Sequence, residues 1–230
     1  MEKKIYPSLQ SLLAELEESC LLLARHGETD WNAANIVQGQ QDRPLSRKGY
    51  EQRKNLFYLL RPIPLKRIVC STLQRTIETA MPLSLEKGIE IEERYELDEV
   101  RLGVFEGQHK EEFSDEFSRS CYRSFLEDEI NIALPGGGES LRMVDKRVRK
   151  AVGVFMGGRE SGHSLVVGHR NVNKMIVKNL LGLSFEEGYR VEHRNACLYI
   201  FAPGRAEMFM MEVPSPQEPT EVRCGYERGG

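Results

Sequence analysis

The 230 residues carry 32 Lys and Arg against 35 Asp and Glu, a formal charge of -3, with 40% hydrophobic side chains. That length and balance fit one domain with a sizeable core and exclude nucleic acid or an anionic membrane as a general partner. Affinity for an anion must therefore come from a local cluster, and no apolar run reaches membrane-spanning length.

Lys3 and Lys4 are followed by Glu15, Glu17 and Glu18 where a signal peptide needs an apolar stretch, so no leader is expected. Ser8 caps a predicted helix with Leu9, Leu12, Leu13 and Leu16 on one face. Residues 1–19 read as a helical extension, packed on its own domain or against a partner or second subunit. Leu21-Leu22-Leu23-Ala24 is a short apolar run of strand length, broken by Arg25-His26-Gly27. In α/β sheets ligands gather beyond the carboxyl ends of strands, and a basic pair there favours an anion such as phosphate.

Residues 30–46 are dense in Gly, Asn, Asp and Pro and read as a loop. Ser46 caps a helix with Tyr50, Phe57 and Leu60 on one face, and Arg67 to Cys70 is a second buried strand. Ser71 and Thr72 lead into a helix carrying Arg75, Thr76 and Thr79; a strand-to-helix turn offers free N–H groups to an anion. Ile89 to Ile91 is a third, short strand. A loop from Leu97 to Gly107 precedes a polar, helical excursion over residues 108–134. Pro135 and three glycines break structure before a helix with Leu141, Val144, Val148, Val152 and Phe155. Ser164 to Gly168 is a fourth buried strand ending at His169, and Asn171 caps the next helix. Cys197 to Phe201 and Glu207 to Val213 are the last strands. Residues 214–230, with Pro214, Pro216 and Pro219, read as a disordered tail. Alternating buried strands and helices predict a three-layer α/β sandwich, with a mostly parallel, mixed sheet flanked by helices. The five cysteines, Cys20, Cys70, Cys121, Cys197 and Cys224, form no Cys-x-x-Cys pair and no disulfide framework, so a cytoplasmic location is expected.

Four separated segments thus share the strand ends: Arg25-His26-Gly27, Ser71 through Arg75 to Thr79, Leu97-Asp98-Glu99, and Val167-Gly168-His169. In type, order and spacing they resemble the histidine phosphatase superfamily, also called phosphoglycerate-mutase-like, over roughly residues 20–213. The resemblance implies that His26 attacks phosphorus and forms a phosphohistidine. Arg25 and Arg75 clamp the phosphoryl oxygens, and His169 donates a further hydrogen bond. Glu99 protonates the leaving oxygen and later activates water. It also implies that Asn32 and the backbone at Gln38-Gly39 complete the phosphate cradle. No metal or other cofactor is expected, because the two arginines supply the charge a divalent cation would bring.

Asp98 and Glu106 are rivals to Glu99, with turn stabilisation the plain role for Glu106. His109, His163 and His193 match nothing in the pattern and read as structural or surface residues. Arg170 departs from the small residue the family commonly places after its second histidine; it enlarges a positive pocket for a second anionic group or points to solvent. The acidic stretch 108–134 and Gln38-Gly39 favour a phosphatase of small phosphorylated substrates. Phosphoglycerate mutase-type transfer and a non-catalytic phosphate-binding or scaffold protein are the alternatives, and a homo-oligomer stays open.

Overall fold

The computed structural model describes residues 5–113, 115–155, 162–215 and 221–229. In chain order the elements are β1 (Ile5–Tyr6), α1 (Leu9–Leu16), β2 (Leu21–Arg25), α2 (Asp30–Ala33), α3 (Arg47–Leu60), β3 (Leu65–Cys70), α4 (Gln74–Lys87), β4 (Ile91–Glu93), α5 (Glu116–Glu127), α6 (Leu141–Phe155), β5 (His163–Gly168), α7 (Arg170–Leu181), α8 (Phe185–Tyr189), β6 (Cys197–Ala202), β7 (Glu207–Glu212) and β8 (Val222–Cys224). The strands form one sheet in the order β1-β8-β7-β6-β2-β5-β3-β4.

Parallel pairing is confined to β2, β5, β3 and β4, the half that carries the strand ends of interest. The other half, β6, β7, β8 and β1, is antiparallel, so the sheet is mixed in equal halves rather than mostly parallel. The reason is local: only residues 203–206 join β6 to β7, far too few for a crossover connection.

Successive side chains of a strand point to opposite faces, and β2 shows the consequence. Leu22 and Ala24 join Leu9, Leu12, Leu13, Leu16, Leu56, Leu60 and Leu83 in one buried cluster. Leu21 and Leu23 join Leu141, Val144, Val148, Val172, Met175 and Ile176 in another. With β2 apolar on both faces, α1, α3 and α4 cover one side and α6 and α7 the other, which makes the three layers. A third cluster of Val37, Phe105, Phe113, Tyr122, Phe125 and Leu134 gives the 108–134 excursion its own small core.

Helix α1 is capped as expected, with the Ser8 hydroxyl accepting from the Ser11 N–H at 3.1 Å. All four of its leucines are buried against the sheet. Helix α3 is capped by Ser46 but turns differently from the expectation: Tyr50 is 40% exposed, and Gly49 faces inward instead. A Cβ at Gly49 would lie 2.0 Å from the Glu28 carbonyl oxygen, so this helix packs on the loop after β2 through bare backbone.

Strand β4 begins at Ile91, two residues later than predicted. Asn171 is not a cap: α7 starts two residues earlier than that cap would place it, with His169 in the cap position and no side-chain capping bond. The tail expected to be disordered holds β8, which pairs with both β7 and β1 and buries Val222 completely. Pro216, Pro219 and Gly230 lie outside the described residues, as does the Phe155 side chain. Among the described residues no helix is long and apolar enough to cross a membrane.

Candidate active site

Strand register brings the predicted residues together. Arg25 pairs with Gly168 in the parallel β2–β5 ladder, and the His26 N–H donates to the Gly168 carbonyl at 3.1 Å. The next residues, His26 and His169, therefore lie side by side, their ring centroids 5.1 Å apart. Cys70 pairs with Val167 on the other side of β5, so Ser71 falls beside His169, with 2.8 Å between its Oγ and His169 Nε2. Arg75, in the first turn of α4, is 1% exposed. Its Nε donates to His169 Nδ1 at 3.2 Å, and its Nη1 and Nη2 to the Gln41 and Gly39 carbonyls at 2.9 and 2.8 Å.

These contacts fix the imidazoles. His26 Nδ1 lies 2.7 Å from the Gly27 carbonyl oxygen. A carbonyl only accepts, so Nδ1 holds the proton and Nε2 the lone pair. His169 Nδ1 accepts from Arg75, so its proton sits on Nε2 and goes to Ser71. Burial, then Arg75 and Arg25, hold the His26 pKa well below that of a free histidine, and burial with the same two cations lowers His169. Two uncharged rings thus stand between two guanidiniums. Arg25 itself is pushed down to about 10 by burial, against the opposing effect of Glu99.

The three candidate acids have separate tasks. Glu99 accepts from the Val100 N–H at 2.9 Å and, weakly, from the Asn171 N–H at 3.4 Å. Its charge supports both Arg25 and Arg75. Asp98 instead grips the turn after β3, accepting from the Thr72 N–H at 2.8 Å and from its hydroxyl at 2.9 Å. Glu106 accepts from the Gln40 and Leu102 N–H groups at 3.0 and 2.9 Å and ties two loops together. Gly39 is needed at that junction: its φ is +53°, and a Cβ there would lie 2.0 Å from Glu106 Oε1.

Asn32 is committed locally. It completes a capping box with Thr29 and donates to Gln38 Oε1 at 3.2 Å. Gln38, 8% exposed, also accepts from the Thr29 hydroxyl at 2.8 Å, while its buried Nε2 has no partner. The buried Arg25 Nε is likewise unpartnered. Both are buried donors with a hydrogen bond to give, which suits an anion. Arg170 is half-exposed and donates to Glu192 at 2.9 Å, yet it lies close enough to Arg25 to act on its charge.

Sequence reasoning missed three participants and gave no task to a fourth, Thr79. The Thr79 hydroxyl accepts from the Gly27 N–H at 3.0 Å, and Asn195 donates to the His26 carbonyl at 2.8 Å. The carbonyl of His193 accepts from Arg25 Nη1 at 3.1 Å. Lys110 sits inside the stretch read as acidic, near enough to Arg25 and Arg170 that they, after burial, lower its pKa. Thr79 belongs to a spacing already noted; the other three give no signal in composition or period. Among the described residues no group of three His, Cys, Asp or Glu side chains could hold a metal ion.

The buried histidines make stability depend on pH. Burial takes His193 from 6.5 to about 3. A depressed folded-state pKa means the unfolded chain binds the proton first. The contribution is complete above pH 6.5 and is lost as pH falls toward 3, at about 1.4 kcal/mol per unit. Burial also lowers His26, His163 and His169, while it raises Asp98 and Glu129, which offsets part of the effect. Urea unfolding at pH 7 and pH 5 is expected to show a net loss of roughly 2 kcal/mol or more at the lower pH. Equal stabilities would contradict this account of the core.

Comparison with known proteins agrees with the geometry. The family model for the histidine phosphatase superfamily (branch 1) matches residues 21–213. A relative from Enterobacter sp. (strain 638) named "Probable phosphoglycerate mutase GpmB" is 31% identical over 83% of this chain and 90% of its own. The adenosylcobalamin/alpha-ribazole phosphatase of Salmonella typhimurium is 32% identical over 70% of this chain and 79% of its own. Among solved structures, Bacillus stearothermophilus YhfR superposes with a TM-score of 0.70 at 27% identity, covering 84% of this chain and 91% of that one. The family model spans both histidines, both arginines and the Glu99 loop, and the strand ends bring those residues into one place: the chain belongs to the histidine phosphatase superfamily, branch 1.

Proposed function

We propose that the chain is a phosphomonoester hydrolase that works through a phosphohistidine on His26. The observation that carries this reading is the 2.7 Å contact from His26 Nδ1 to the Gly27 carbonyl. It leaves Nε2 with a free lone pair, and burial beside two cations keeps the ring uncharged and ready to attack.

In the first step Nε2 attacks phosphorus and the bond to the leaving oxygen breaks, with Glu99 giving its proton to that oxygen. Arg25 and Arg75 hold the equatorial oxygens, where transition-state charge collects. Arg25 Nε and Gln38 Nε2, the unpartnered donors, turn toward the same anion, joined by the Gly39 N–H. Gln38 thus acts through its side-chain amide, and Asn32 by holding that amide in place. His169 needs its other tautomer to donate from Nδ1; Ser71 then donates its hydroxyl proton to Nε2. In the second step water loses a proton to Glu99 and displaces His26 from phosphorus, releasing inorganic phosphate. The five described cysteines are all unpaired, which supports a cytoplasmic setting.

A second reading, phosphoryl transfer of the mutase type, is favoured by one observation. Lys110 and Arg170 stand within electrostatic reach of Arg25, alongside Glu129 and Glu192, and two further cations there suit a substrate with a second anionic group. Release of phosphate from p-nitrophenyl phosphate in EDTA tests the first reading. Turnover supports the hydrolase. No release, with conversion of 3-phosphoglycerate in the presence of its bisphosphate primer, would assign the mutase. Failure of both would leave a binding protein.

A further inference from the structure

Helix α7 carries a buried asparagine that the chemistry above does not use. Asn173 is fully buried, and its Nδ2 donates twice, to the Ala24 carbonyl at 3.1 Å and to His193 Nδ1 at 3.0 Å. The His193 ring, also fully buried, therefore carries its one ring proton on Nε2 and donates it to the Cys197 carbonyl at 3.0 Å. The main-chain carbonyl of the same His193 accepts from Arg25 Nη1. One side chain therefore holds Arg25 at two points: the backbone one residue upstream, and, through His193, the guanidinium. The buried Asn173 Oδ1 has no partner. An orphan acceptor costs stability, whereas both amide protons are engaged.

We propose that Asn173 and His193 form a clasp that positions Arg25, tying it to the helix that follows His169. The inference rests on the reading of Arg25 as a phosphoryl clamp. A guanidinium held only by its flexible stem must be ordered each time an anion binds; the clasp removes that cost in advance. It also sets Arg25 from the same helix that begins at His169, so the two groups keep one spacing. His193 stays uncharged across the working pH range, because burial holds its pKa near 3. The clasp consequently does not open with pH.

The test is binding of inorganic phosphate, measured by calorimetry on the full chain, with near-ultraviolet circular dichroism to confirm folding. Asn173→Leu removes both donated bonds while keeping the branch at Cγ and is expected to weaken phosphate about 10- to 100-fold, the worth of one bond to a charged group. In an Arg25→Ala background the same change is expected to cost less than about threefold, because the effect runs through Arg25. His193→Gln, which keeps a donor and an acceptor, should bind phosphate within about threefold of wild type, and His193→Leu should not. Unchanged affinity in folded Asn173→Leu, or an equal loss with and without Arg25, would overturn the clasp. Should Asn173→Leu not fold, the two His193 variants decide: equal affinities would overturn it. Wild type that binds no phosphate would instead overturn the anion-site reading itself, and the clasp with it.

Discussion

His26→Ala is expected to remove phosphate release almost completely, by a factor on the order of 10⁴ to 10⁶, the scale on which losing a covalent nucleophile acts. The argument is one of proton location. The Gly27 carbonyl accepts from Nδ1, so the Nε2 lone pair belongs to no other group among the described residues. No neighbour replaces it: both ring nitrogens of His169 are engaged, by Arg75 and Ser71. Loss of folding is not the cause to expect, since the main-chain contacts of His26, to Gly168 and Asn195, survive the substitution. Phosphate release by His26→Ala at a rate within tenfold of wild type would end the phosphohistidine reading.

Arg75→Ala is expected to lower kcat/KM by about 10³- to 10⁵-fold, as for other arginines facing a transferring phosphoryl group. A second effect separates it from His26→Ala. The Arg75 fork also holds the Gly39 and Gln41 carbonyls, and its Nε reaches His169 Nδ1. Removing it frees the loop that carries Gln38, so inorganic phosphate should bind more weakly, whereas His26→Ala should leave phosphate affinity nearly intact. Arg75→Lys should behave like the alanine variant, because one ammonium cannot reach three acceptors arranged for a planar fork. A lysine variant with near-normal kcat/KM would show that charge alone matters here.

The parts legible in the sequence are those with a period or a punctuation mark. Buried runs such as Leu21 to Ala24 and Ser164 to Gly168 announce strands, and Ser8 and Ser46 announce helices. The register that places His26 beside His169 follows once those runs pair in parallel. Strands of two or three residues, β1 and β8, carry no period at all, so β1 hides in the helical extension and β8 in the proline-marked tail. Gly49 is silent in an apolar pattern, which put Tyr50 on the wrong face of α3. His193, Asn173 and Asn195 act through main-chain carbonyls far away in sequence, at 168 residues for Arg25 and His193. Such bonds leave no spacing to read. Lys110 was hidden by the acidic residues around it, although charge in space rather than charge along the chain is what a substrate meets.

The most direct test of the central claim is a rapid-quench experiment with a ³²P-labelled phosphomonoester, followed by mapping of the labelled peptide. The account predicts an acid-labile, base-stable label on the peptide containing His26, formed and lost at rates that allow turnover, and absent from His26→Ala. Phosphate release without any label on His26, or with the label on His169, would contradict it.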